Sequence, residues 1–254
     1  MLKRLRSSAA GELTREFDRL TFATRIDFPT PEPIALDEAG RWFGTPALVM
    51  SKVDGAPRLH DRRGSWIDSL ADALVRVHGT SVPAEVPEVL QARHAGLTID
   101  PAVAEHLRPS ARVERLRAVT VAMRKQVART PGPRALLHHD YHHGNVTWER
   151  GRAAAIIDWN EARLGPVSLD VSYCSVDLAM THGIRAAEQF TDRYEIVAGA
   201  VPDLRRWQAM WVLSDMRWVS YWLTGFQDLG AAHLGLPTLR RRLRAFADHV
   251  LERC

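Results

Sequence analysis

Cysteine is nearly absent. The 254 residues include only Cys174 and Cys254, 80 positions apart, with no C-x-x-C pair. That excludes a disulfide framework and a cysteine-rich zinc site, and it fits a reducing cytoplasm. Long apolar runs are also missing: none approaches the roughly 18 residues of a membrane span. The most apolar stretch, Trp207 to Phe226, is interrupted by Asp215 and Arg217. After the basic opening MLKRLRSS the chain turns polar, so no secretory leader is expected. Neither G-x-x-x-x-G-K-[ST] nor G-x-G-x-x-G occurs, which removes the P-loop and dinucleotide-fold readings. Lysine is scarce as well, limited to Lys3, Lys52 and Lys125. A lysine in a plausible site therefore stands out.

What is present is the composition of a protein with a large core: 46% hydrophobic and 25% charged residues. The net charge of +4 is spread along the chain, with no basic tail or stripe, so neither nucleic acid nor a membrane is an expected partner. The oligomeric state is left open.

Periodicity divides the chain near Asp54-Gly55. Residues 1–55 read as a small mixed unit. It comprises a short strand in MLKRL, an amphipathic helix over 11–24, an extended FPTPEP segment, and two strands joined at DEAG. Residues 56–254 read as mainly helical. A helix over 65–78 ends at Gly79, a proline-rich crossover spans 80–110, and a second helix covers 113–127. A loop and hairpin then occupy 135–159, and four helices fill 168–252.

The stretch that carries chemistry is His138-His139-Asp140-Tyr141-His142-His143-Gly144-Asn145, followed by Ile156-Ile157-Asp158-Trp159. Asp140 and Asn145 share one tight loop, and Asp158 returns a hairpin's length later. A carboxylate and an amide oxygen are hard ligands that suit Mg²⁺, which also takes oxygens from substrate phosphates. Asp140, off the metal, is then free to accept the proton of an attacking hydroxyl.

These residues resemble the aminoglycoside phosphotransferase and choline kinase-like family, relatives of the protein kinases. LLHHDYHHGNV is similar to that family's catalytic loop, and IIDWNEARLGPVSLDVSY to its metal-binding segment. ALVMSKVDG resembles its hinge and SLADALVRVHGT the helix that follows. The resemblance implies an α+β, protein-kinase-like fold of two lobes, with a reduced N-lobe over 1–55 and a helical C-lobe over 56–254. It implies transfer of the γ-phosphate of ATP or GTP to a hydroxyl of a small molecule, antibiotic or metabolite, with Mg²⁺. Asp140 becomes the catalytic base, Asn145 and Asp158 the metal ligands, and His138 a brace for the loop. Lys3 would hold the α- and β-phosphates, oriented by Glu16 rather than Glu12. The backbone of Ser51, Lys52 and Val53 would face adenine. The family's Gly-rich hairpin precedes the lysine strand, where this sequence starts. The expectation is an N-lobe without that hairpin, either natively or because of an upstream start codon. A non-catalytic nucleotide- or ligand-binding relative is the alternative.

Three further readings stay open. Histidines 138, 139, 142 and 143 could serve a transition-metal hydrolase, although one face cannot present all four; His142 is the one placed to face the phosphoryl site. Asp170 either caps the helix it begins or braces the catalytic loop. Trp207, Trp211, Trp218 and Trp222 recur at steps of four, seven and four, a single helical stripe that is either core or the apolar wall of an acceptor pocket. For that wall the candidates are Trp218 and Trp222. Residues 170–254 balance ten acids with ten bases, which predicts an acceptor that is neutral or singly charged and partly apolar, not a polycation.

Overall fold

A computed structural model describes residues 1–4, 11–58, 65–91, 98–129 and 134–254. The first unit is an antiparallel sheet of β1 (Leu2–Arg4), β2 (Pro33–Asp37) and β3 (Ala47–Met50), with β3 in the centre. Helix α1 (Glu12–Ala23) packs against β2 and β3, burying Leu13, Glu16, Leu20 and Ala23 at helical spacing. The β2–β3 connection is longer than the DEAG turn. Asp37 holds it, its carboxylate accepting the backbone N–H groups of Arg41, Trp42 and Phe43 at 2.7–3.1 Å.

The chain leaves this sheet at Gly55. Its φ of +78° is unfavourable for other residues, and a Cβ there would lie 2.8 Å from the Trp148 carbonyl oxygen. Strand β4 (Ala56–Pro57) then joins an antiparallel sheet with β6 (Val146–Glu149) and β7 (Arg152–Ile156). A third pair, β5 (Ala135–Leu137) with β8 (Arg163–Gly165), brackets the functional loop.

Helix α2 (Trp66–His78) buries Ile67, Leu70, Leu74 and Val77 on the face foreseen from the sequence. Its C-cap, Gly79, is right-handed at φ −77°, so glycine serves there through close approach to the Val75 carbonyl, not through a left-handed turn. Among its described residues the 80–110 crossover contains the 3-10 turns Glu88–Leu90 and Pro101–His106; residues 92–97 lie outside the described set. Helix α3 (Ala111–Arg129) follows. The four C-terminal helices are α4 (Ser168–Thr181), α5 (Ile184–Ala198), α6 (Leu204–Asp228) and α7 (Leu236–Leu251). α4 is the hub: it packs on α5, α6 and α7 and is buried along nearly its whole length. The fold is thus α+β, with a mainly helical second part. Among the described residues no helix is long and apolar enough to cross a membrane.

Candidate active site

Residues 138–145 form the loop between β5 and β6. A buried carboxylate fixes its start: Asp170 in the first turn of α4 accepts the backbone N–H of His138 at 2.8 Å and of His139 at 2.9 Å. A third bond comes from His78 Nε2 at 3.2 Å, and the Tyr194 hydroxyl completes that histidine at Nδ1, 2.6 Å away. Burial alone would raise the Asp170 pKa. The His78 bond and the neighbouring imidazoles overcome it and hold the carboxyl below its ordinary range. Asp170 therefore contacts the loop, and it offers no side-chain cap to α4.

His138 is fully buried and ties two segments together. Its Nε2 donates to the Ile157 carbonyl at 2.8 Å, while Nδ1 accepts the Asp140 N–H at 3.3 Å. His139 adopts φ +67°, and burial pushes its pKa down to about 4, so it stays neutral. Gly144 has no room for a side chain: a Cβ would lie 2.5 Å from Leu229 and 2.7 Å from the His142 ring.

Asp140 is held at both oxygens. The Tyr173 hydroxyl donates to Oδ1 at 2.8 Å, and Asn145 Nδ2 donates to Oδ2 at 3.0 Å and to the Asp140 carbonyl at 2.9 Å. With its nitrogen committed, Asn145 has Oδ1 left as an acceptor with no hydrogen bond among the described residues. Asp158 follows β7 with φ +64°, a conformation that aspartate tolerates better than most residues. Its Oδ1 lies 3.0 Å from Lys3 Nζ, which also lies 2.8 Å from Glu16 Oε1. Residues 155 positions apart are thus joined in one Glu16–Lys3–Asp158 chain. Glu12, one turn earlier on the same helix face, is exposed. Burial works against the lysine's charge, but two carboxylates more than offset it, so the Lys3 pKa rises. For Glu16 burial outweighs the lysine and its pKa also rises. Asn145 and Asp158 offer hard oxygen donors, a set that fits a small divalent cation completed by water and phosphate oxygens.

At the end of β3, the Ser51 N–H is already bonded to the Glu32 carbonyl at 2.8 Å, and its hydroxyl accepts the Glu32 N–H. That amide is not available to a base. Among the described residues the amides of Lys52 and Val53 make no backbone hydrogen bond.

A cavity of about 180 Å³ opens beside Asp140, lined by Asp140, His142, Tyr173, Asp177, Asp215 and Trp222, with Met180, Phe226 and Leu229 as apolar surface. Burial pushes the Asp215 pKa to about 8, with Asp177 adding to it. Burial takes Asp177 to about 6, partly relieved by His142 and His182. The even charge of residues 170–254 is therefore uneven in space. Two of its acids converge on this cavity.

The tryptophan stripe also divides. Trp207 is core, Trp211 packs against Tyr173 with ring centroids 4.9 Å apart, and Trp222 lines the cavity. Trp218 is 47% exposed under the Arg217 guanidinium and lies outside the cavity lining. The four histidines point separately: His138 to Ile157, His139 towards Trp211, His142 into the cavity, and His143 beside Asp177 at 2.8 Å. Among the described residues no three His, Cys, Asp or Glu side chains converge to hold a metal. Tyr173, Asp177, Asp215 and His78 were not singled out as site residues by the sequence. The one available signal was Asp215 interrupting an apolar helix.

The model of a phosphotransferase enzyme family matches residues 1–210. Among solved structures, the chain is similar to the aminoglycoside phosphotransferase APH(3'')-Id from Streptomyces rimosus. The TM-score is 0.59 at 20% identity, covering 85% of each chain. That protein has also been solved with ADP and streptomycin. It is similar to macrolide 2'-phosphotransferase MphH from Brachybacterium faecium, with TM-score 0.57 and 19% identity, covering 95% of this chain and 83% of that one. A choline/ethanolamine kinase family protein from Mesorhizobium loti gives TM-score 0.62 at 16% identity, covering 99% and 82%. At these identities the likeness carries the fold. No curated protein sequence matches the chain.

Proposed function

The chain belongs to the phosphotransferase enzyme family, and from that premise we propose that it transfers the γ-phosphoryl group of ATP or GTP to a hydroxyl of a small molecule. The observation that carries this reading is Asp140, clamped by Tyr173 and Asn145 in the lining of an acidic cavity. Residues 1–55 form the nucleotide-facing unit and 56–254 the acceptor-facing one.

Asp140 accepts the proton as the acceptor oxygen attacks phosphorus; the bond to the β,γ-bridging oxygen breaks, and the nucleoside diphosphate leaves with that electron pair. Tyr173 and Asn145 hold the carboxylate so that little reorganisation is needed. Lys3, oriented by Glu16, binds the α- and β-phosphates, and Lys52 and Val53 offer amides to the base. Bound at Asn145 and Asp158, a divalent cation such as Mg²⁺ would neutralise phosphate charge. Asp170, through His138 and His139, keeps the loop in register.

The cavity sets the acceptor class. Buried Asp177 and Asp215 favour one compact cationic group, and Trp222, Phe226 and Leu229 favour an apolar body. At about 180 Å³ the cavity suits a small part of the acceptor, the hydroxyl and the amine near it. The test is a phosphoryl-transfer assay with Mg-ATP and Mg-GTP across amphiphilic amino alcohols, neutral amphiphiles and polycationic aminoglycosides. The highest kcat/KM is expected for singly charged amphiphiles. Nucleotide binding without transfer to any acceptor would overturn the enzyme reading in favour of a binding protein.

A further inference from the structure

A second cavity, of about 350 Å³, lies between the loop before α3, the middle of α6 and the first turns of α7. Its floor is apolar, with Val113, Val219 and Leu243 buried and Leu107 and Met216 half-buried. Its rim carries four guanidinium groups, from Arg108, Arg112, Arg240 and Arg244. Arg112 is compensated, donating to both oxygens of Asp248 at 2.6 and 2.7 Å. Among the described residues Arg108, Arg240 and Arg244 have no acidic partner.

Three uncompensated guanidinium charges around an apolar floor form a field that an anion relieves. Guanidinium is weakly hydrated and planar, and it pairs with carboxylate or phosphate through two parallel hydrogen bonds. Beneath that rim the floor offers dry surface to a hydrocarbon chain or ring. The volume lies within the range of roughly 300–1,000 Å³ typical of small-molecule sites. Nothing in the phosphoryl-transfer reading uses this groove. We propose that it binds a small amphiphilic anion, a carboxylate or phosphate head on an apolar body.

Isothermal titration calorimetry of the full chain with octanoate and octyl phosphate, against acetate, inorganic phosphate and octanol, tests this directly. Saturable binding of one equivalent is expected for octanoate, octyl phosphate or both, and their ratio tells which head the rim prefers. Acetate, inorganic phosphate and octanol should each bind at least about tenfold more weakly, since each lacks the head or the body. The double variant Arg240→Gln with Arg244→Gln should weaken the octyl anion at least about tenfold. Arg185→Gln, which removes an exposed arginine on α5, should leave it unchanged. Met216→Glu, which places a negative charge at the floor, should also weaken binding. Octanol binding as tightly as octanoate, or an affinity indifferent to Arg240 and Arg244, would overturn the proposal. So would an absence of saturation. Tighter binding of poly-glutamate than of octyl phosphate would overturn it in favour of a surface for acidic protein.

Discussion

The cavity beside Asp140 and the groove beside Arg240 are built on neighbouring faces of α6, yet they handle charge in opposite ways. The first draws Asp140, Asp177 and Asp215 together with no basic side chain except His142 in its lining. The second draws four arginines together with no acid in its lining. The first buries its charges: Asp215 is 3% exposed and Asp177 6%. The second leaves Arg108, Arg240 and Arg244 in water. A buried carboxylate answers crowding by holding its proton, whereas a guanidinium keeps its charge at any ordinary pH. The acidic cavity is therefore pH-dependent, and the basic groove is not.

The largest expected effect separates the two regions chemically. Asp140→Asn should cut kcat at least ~10²-fold while leaving octanoate binding in the groove unchanged. Unchanged turnover of any identified acceptor would remove Asp140 from the chemistry. Next, Asp158→Ala should abolish the rise in Tm that Mg-ATP gives the wild type, a stabilisation of about 2.7 kcal/mol at a hundred times Kd. A wild-type shift in the variant would take Asp158 out of the metal site, and octanoate should stabilise both proteins alike.

The third effect is a pH dependence. The folded pKa of Asp215, about 8, lies above the unfolded value of about 3.9, so its protonated form favours the fold. Its contribution is full below pH ~4 and is lost as pH rises to ~8. Asp177 adds the same sign over a narrower window, up to about 6. Urea unfolding at pH 5 and pH 8 should show the wild type losing stability, and Asp215→Asn should flatten that slope. Identical slopes in both proteins would show that Asp215 is not the buried acid responsible. The smallest effect concerns the tryptophans. Trp222→Ala should raise the acceptor KM, whereas Trp218→Ala should change stability by no more than about 0.5 kcal/mol and leave KM alone. An equal rise in KM for both would mean that the acceptor reaches beyond the cavity.

The loop residues were legible because their order in the chain is nearly their order in space. Asp140, Asn145 and Asp158 sit on one loop and hairpin, so spacing alone brings them near one another. Glu12 and Glu16 share one helix face, so spacing alone could not separate them, and the 2.8 Å contact with Lys3 shows that the turn carrying Glu16 lies beside it. Tyr173, Asp177, Asp215 and His78 come from α4, α6 and α2, and packing, not spacing, brings them to the site. Counting acids and bases over 170–254 averaged the acidic cavity with arginines of the groove and so missed both. The tryptophan stripe shows the same limit. Its angle on α6 was right, but the 25-residue helix runs about 37 Å, and its surroundings change from core to solvent along that length.

Asp215 and Met216 are consecutive residues, about 100° apart around the axis of α6. One faces the acidic cavity and the other the arginine-rimmed groove. The helix is a single rod beside both, with Val219 following Met216 one turn on and Trp222 following Asp215 two turns on. Any roll of that rod that drives Met216 and Val219 deeper into one chamber swings Asp215 and Trp222 across the wall of the other. The two chambers share that rod as a common wall, each lined by one of two adjacent faces of the helix.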